Sequence, residues 1–139
     1  MSMITDEIVD FKTAELLRAK GFDWPCDLVY DLARPHTCID NKVYDNFGIK
    51  NHNKSAQLVS APLLSRAMKW LREAHGLFVE VHIVEHSTAY MDNKYYFYRL
   101  YKDRRPLKPV DTMFLTYEDA CRDAITNCLE NYIIIKEEE

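Results

Sequence analysis

Glycine and proline are scarce in this sequence, which has 3 glycines and 5 prolines in 139 residues. No two glycines lie near each other, so glycine-rich loops that cradle phosphate groups are excluded. The low totals also exclude collagen-like and low-complexity architectures. No apolar run approaches the roughly 18 residues that a membrane-spanning helix needs. We therefore expect no contact with a membrane.

A secretory signal is another feature that the sequence lacks. The first residues, MSMITDEIVDF, are acidic and contain neither the basic nor the apolar region of a signal peptide. We therefore expect a cytoplasmic protein whose cysteines stay reduced. There is no CxxC pair, which structural zinc sites normally contain. The four cysteines are Cys26, Cys38, Cys121 and Cys128.

Basic charge is in deficit overall but concentrated in one place. The chain has 18 Lys and Arg against 22 Asp and Glu, a net charge of −4, which argues against a dedicated nucleic-acid-binding protein. Residues 94–108 nevertheless hold six basic residues and one acid, while residues 117–139 hold seven acids and two bases. This segregation predicts one positively charged face on an acidic chain.

The length and the 47% hydrophobic content predict a single domain spanning residues 1–139. Three segments carry the signals of helix ends. A first helix is predicted over Thr13–Lys20, a second after a Ser60 cap with Pro62 in its first turn, and a third after a Thr116 cap. Gly76 is placed to end the second helix.

Strands are predicted where apolar or aromatic residues alternate with polar ones. From residue 33 to residue 57 the pattern is weak, with two short strand pieces at Val43-Tyr44 and Phe47–Ile49. The fold class expected is α+β, an antiparallel sheet of four or five strands with two or three helices packed on one face. The clearest predicted strands are Cys26–Leu32, Leu77–Glu85, Tyr95–Lys102 and Val110–Leu115.

The order from residue 60 onward, one helix, three strands and one helix, resembles that of the double-stranded-RNA-binding domain. Those domains carry basic residues at the start of the final helix. Here that position reads Thr116-Tyr117-Glu118-Asp119, whose acids would repel phosphate. We therefore do not expect binding to duplex RNA.

A second resemblance covers most of the chain outside residues 33–57. The sequence resembles a family of small uncharacterised proteins from gut-bacterial genomes and their phages and mobile elements. Most of the shared segments are helix caps and core positions, so the resemblance implies a fold and a phage-type origin but assigns no chemistry to any residue. The segments are Phe11–Phe22, Pro25-Cys26, Ser60–Pro62, Lys69–Glu73 and Phe114–Ala120.

The most suggestive functional cluster is a strand rich in tyrosine and arginine, followed by a basic turn. Tyr and Arg are enriched at protein interfaces, and aromatic rings on a sheet can also stack on bases while basic side chains hold the backbone. The alternative is a purely structural role, in which this is an amphipathic strand with one face packed in the core. We expect a non-catalytic module that binds a protein partner or a second copy as a homodimer, with single-stranded nucleic acid as the alternative. The predicted binding residues are Tyr95, Tyr96, Tyr98, Arg99, Tyr101, Arg104 and Arg105.

Other candidate sites are weaker. Glu80, His82 and His86 could hold a divalent metal ion, but exposed polar residues on the outer side of a strand explain the same spacing. Cys26, His36 and Cys38 form a loose set. No GxSxG, HExxH or other catalytic motif is present, so we expect neither an enzyme, nor a metal site, nor a cofactor.

Overall fold

The computed structural model describes residues 7–40, 58–87 and 92–133 of the chain. Helices and strands follow one another as one helix, three strands, a second helix, three strands and a final helix. Their bounds are α1 Phe11–Ala19, β1 Leu28–Asp31, β2 Arg34–Asp40, β3 Leu58–Ser60, α2 Leu64–His75, β4 Leu77–Ser87, β5 Asp92–Lys102, β6 Arg105–Pro106 and α3 Tyr117–Asn131.

The α+β class is confirmed, but the strands form two sheets instead of the single sheet of four or five strands expected. Both sheets are antiparallel and three-stranded within the described residues, with strand orders β2-β1-β3 and β4-β5-β6. They stay separate because β3 pairs back onto β1 and the chain then enters α2 before β4 begins. The pieces predicted at Val43-Tyr44 and Phe47–Ile49 lie outside the described residues.

Two of the predicted helix caps are wrong. Helix α1 begins after Asp10, whose carboxylate accepts a hydrogen bond of 2.7 Å from the backbone N–H of Thr13, so Thr13 lies inside the helix. Helix α2 begins after Leu63, whose side chain makes no cap hydrogen bond. Ser60 is instead buried in β3 opposite Val29, because strand pairing takes it away from the helix.

Two other helix ends are confirmed. The Thr116 hydroxyl accepts a hydrogen bond of 3.1 Å from the N–H of Asp119 at the start of α3. The Asp119 carboxylate lies 3.4 Å from the Arg122 guanidinium. Gly76 ends α2 in the left-handed conformation at φ +64°, which glycine adopts at little cost because it has no Cβ.

The third strand predicted over Val110–Leu115 is also wrong. Asp103 and Arg104 both have positive φ, as a two-residue hairpin turn of type I′ requires. The chain therefore turns back at once, and β6 at Arg105–Pro106 pairs with the end of β5. Only Phe114, through one isolated bridge to Tyr96, represents the predicted strand.

The buried side chains of the three helices join those of both sheets in one hydrophobic cluster. Helices α2 and α3 contact each other and pack on the same side of β4 and β5, as expected for helices on one face. Helix α1 lies against α3 and β3. The second sheet therefore has one face in the core and one face that no described helix covers.

Candidate functional site

The β4–β5 ladder sorts its side chains onto two faces. The strands pair antiparallel without a shift over eleven residue pairs, from Leu77 opposite Lys102 to Ser87 opposite Asp92. Directly opposed residues point to the same side of a sheet. We call the side away from α2 and α3 the outer face. Its described side chains are Phe78, Glu80, His82, Val84, Tyr95, Phe97, Arg99 and Tyr101.

Tyr98 lies on the inner side and is 1% exposed. Its hydroxyl donates a hydrogen bond of 2.6 Å to Oδ2 of Asp123 and accepts one of 3.1 Å from Nδ2 of Asn127, both on α3. Its ring stacks on Phe114 at 6.0 Å between centroids. Burial, together with the hydrogen bond to Asp123, raises the Tyr98 pKa above its usual range. Tyr98 thus fastens β5 to α3.

Tyr96 also lies on the inner side, toward the far end of the hairpin. Its backbone exchanges two hydrogen bonds of 2.7 Å with Phe114. Its half-buried ring meets the edge of Tyr117 at 6.3 Å between centroids. Tyr96 therefore holds the chain before α3 against the sheet.

The centre of the outer face is a stack of ordered side chains. The His82 ring stacks on Phe97 with centroids 4.9 Å apart and planes 15° apart. The Arg99 guanidinium lies 5.7 Å from the centroid of the same Phe97 ring, within the range of a cation–π contact. The Glu80 carboxylate contacts Nε2 of His82 and lies directly opposite Arg99 in the ladder. The centre thus carries both signs of charge around an aromatic ring.

One end of the outer face is apolar with a basic rim. Phe78, 45% exposed, lies opposite the half-buried Tyr101. Both line a shallow depression whose rim includes the exposed Arg104 of the hairpin turn. Arg105 follows in β6 and is exposed. Tyr95, at the other end of the face, is half-buried opposite Val84.

The structure thus divides the residues predicted as a binding site. Tyr95, Arg99 and Tyr101 share the outer face, whereas Tyr96 and Tyr98 point to the other side of the sheet. Arg104 and Arg105 follow at the adjoining turn. The predicted binding residues did not include five outer-face side chains, four of them on β4: Phe78, Glu80, His82, Val84 and Phe97. The period of two along β4, combined with the pairing register, is the signal that finds them.

The weaker metal-site candidates do not form a cluster within the described part of the chain, where no three potential ligands come together. Glu80 and His82 are in contact, and the side chain of His86 lies outside the described residues. The Cys26 thiol is buried, and burial raises its pKa to about 12. The side chains of His36 and Cys38 also lie outside the described residues.

Comparison with known proteins identifies no relative. No family model, no curated protein and no solved structure matches the chain. Among the described residues, no helix has the length and apolar character to cross a membrane. The candidate site therefore stands on its own geometry.

Proposed function

We propose that this chain is a non-catalytic protein-interaction module that docks a partner protein on the outer face of β4 and β5. The observation that carries the proposal is a sheet face that no described helix covers and that presents four aromatic side chains, Phe78, Tyr95, Phe97 and Tyr101, beside Arg99. Antiparallel sheets commonly leave one face to solvent, but that face is then normally polar. Here Phe78 is 45% exposed beside Tyr101 and Arg104.

The contacts within the face favour binding in a second way. Stacking of His82 on Phe97, and of Arg99 over the same ring, restrains side chains that would otherwise lose rotamer freedom on docking. Because these side chains lose less conformational entropy when a partner binds, more of the contact energy contributes to affinity. Tyr and Arg are also the residue types over-represented among the side chains that dominate binding energy.

Charge favours a protein over a nucleic acid as the occupant. Glu80 lies in the middle of the face, directly opposite Arg99 and in contact with His82. A carboxylate there repels phosphate but can accept hydrogen bonds from a protein. The resemblance to small proteins of bacterial phages and mobile elements leads us to include such an origin, and a cytoplasmic location, in the proposal.

Affinity capture tests the proposal. The tagged chain, a variant carrying Arg99→Ser and Tyr101→Ser, and a Leu115→Ser control are each incubated with a bacterial lysate and washed, and retained proteins are quantified by mass spectrometry. Leu115 is the matched control because it is 75% exposed but does not belong to the outer face. We expect a partner retained by the unchanged chain and the control but lost by the double variant. Identical retained proteins in all three would contradict the proposal.

Single-stranded nucleic acid is the second candidate, and one observation favours it. The acidic helix α3 packs on the inner side of the sheet, so its carboxylates lie behind the outer face. Rings that stack on bases next to Arg99 and Arg104 are typical of single-strand binding. A labelled single-stranded oligonucleotide at low salt tests it by fluorescence anisotropy. Binding abolished by Arg104→Glu with Arg105→Glu would support this candidate, and no binding would end it.

A further inference from the structure

Strand β4 has an edge that no described strand covers. It lies at the end of the order β4-β5-β6. Backbone N–H and C=O groups alternate between the two sides of a strand, and those of Tyr96 point to Phe114, away from β4. Tyr96 lies opposite Ile83 in the ladder, so these two residues do not hydrogen-bond to each other. The even-numbered residues of β4 are therefore the ones that bond to β5. The odd-numbered residues, including Val79, Val81 and Ile83, direct their backbone groups toward the uncovered edge.

This edge lacks most of the features that keep sheet edges apart, and Glu80 and Glu85 are its acidic residues. Proteins usually protect sheet edges with lysine, proline, a β-bulge or a short strand. From Leu77 to Ser87 there is no lysine, arginine, proline or glycine. The strand is eleven residues long and pairs with β5 without a bulge. Exposure along the edge rises from half-buried Val79 and Val81 to Ile83, which is 51% exposed.

We propose that a second copy of this chain pairs antiparallel with β4, with Val81 of each copy facing Val81 of the other across a two-fold axis. The two three-stranded sheets of β4, β5 and β6 then form one continuous sheet. A symmetric interface of this type uses the same patch on both copies. Each Val81 exchanges two backbone hydrogen bonds with its counterpart, and Val79 does so with Ile83 of the second copy.

Charge selects this register from its neighbours. A two-fold axis at Val81 sets Glu80 of each copy opposite His82 of the other, and it sets Phe78 opposite Val84. An axis one residue earlier would place Glu80 opposite Glu80, and like charges directly opposed destabilise a sheet. An axis one residue later would place His82 opposite His82. Of these three registers, only the one with its axis at Val81 sets Glu80 of each copy opposite an imidazole.

This pairing deepens the proposed function, on which it partly rests, because it joins two outer faces into one surface. An experiment can still distinguish failure of the proposed dimer pairing from failure of the proposed partner docking on the outer face. Arg99 and Tyr101 lie on β5, away from the edge, so the Arg99→Ser and Tyr101→Ser variant is expected to lose its captured partner and keep its dimer mass. Variants of the β4 edge are expected to change the mass.

Light scattering during size-exclusion chromatography is the first test. We expect the unchanged chain to elute with twice the mass of one chain. Val81→Pro should elute as a single chain, because proline removes an N–H that points away from β5 and is tolerated at such edge positions. Val81→Thr keeps that N–H and should stay dimeric. A circular-dichroism spectrum like that of the unchanged chain shows that the proline variant is folded.

The register is tested by charge exchange. His82→Glu should convert the dimer to single chains, because it sets Glu80 against a second carboxylate twice. Adding Glu80→Lys to that variant should restore the dimer. A disulfide test uses Val81→Cys in a Cys38→Ser background, in which oxidation should link two chains. Val84→Cys in the same background should not form this link, because in the Val81 register it lies far from its own symmetry mate.

Single-chain mass for the unchanged protein at every concentration measured would overturn the pairing. A dimer that persists in both Val81→Pro and His82→Glu would overturn it too, because the contact would then lie elsewhere. A disulfide that forms at position 84 and not at position 81 would overturn the register.

Discussion

The hydroxyl of Tyr98 donates a 2.6 Å hydrogen bond to the carboxylate of Asp123, and this contact fastens the aromatic strand to the last helix. Three side chains meet there, since Asn127 donates to the same hydroxyl. Tyr98 is thereby committed to the inner side of the sheet, which leaves the neighbouring odd-numbered residues of β5 on the outer face. The core thus determines which aromatic rings are available for binding.

Tyr98→Phe should destabilise the protein because it keeps the ring but leaves Asp123 and Asn127 without their shared hydroxyl. We expect a loss of about 1.5 kcal/mol in the free energy of unfolding, the usual size for a hydrogen bond to a charged group. Urea unfolding followed by circular dichroism measures it. Tyr101→Phe on the outer face is the matched control and should change stability by less than about 0.5 kcal/mol. Equal effects would contradict the assignment of Tyr98.

Gly76→Ala should cost more than Gly21→Ala. Both glycines have positive φ, at +64° and +91°. A Cβ at position 76 would displace the Asp103 carboxylate, which lies at the end of its side chain, whereas a Cβ at position 21 meets nothing within 4 Å. Both substitutions strain the backbone, by about 1 kcal/mol, so a small excess at position 76 reports the displacement of Asp103. Thermal unfolding of the two variants gives the comparison, and a larger loss at position 21 would contradict it.

His75 should make stability depend on pH. Its ring packs against Trp70 at 4.8 Å, and burial, followed by the nearby Lys102, lowers the His75 pKa. The unfolded chain therefore takes up this proton at a higher pH than the folded chain, and acid favours unfolding. The His75 contribution should fall as pH drops below about 6.5, the ordinary histidine value.

The difference between the unchanged protein and His75→Asn isolates that contribution, since the carboxylates titrate alike in both. Unfolding free energies measured from neutral to mildly acidic pH should show a steeper loss for the unchanged protein. Parallel curves would mean that His75 titrates normally in the folded state.

Local signals in the sequence predicted the features that depend on neighbouring residues. The Thr116 cap and the Gly76 helix end were found because each depends on a few adjacent positions. Ser60 was misread as a cap because its place in β3 depends on Val29, which lies far away along the chain. The division into two sheets was missed for the same reason.

The residue types of the sequence predicted which strand carries the candidate site, but they did not predict the side of the sheet to which each of its side chains points. Leu77, Val79, Val81 and Ile83 place an apolar residue at every second position of β4 and flank Glu80 and His82, so the inner side of that strand could be predicted. Tyrosine is both apolar and polar, so the run around Tyr95, Tyr96 and Tyr98 has no hydrophobic alternation to show which rings point inward. The pairing register with β4 supplies that information.

The most direct test of the central claim compares stability and binding in one variant, Arg99→Ser with Tyr101→Ser. If the outer face serves binding and not folding, the unfolding free energy of this variant should remain within about 1 kcal/mol of that of the unchanged chain. The variant should nevertheless lose the captured partner. A variant that unfolds, or one that retains every protein captured by the unchanged chain, would contradict the claim.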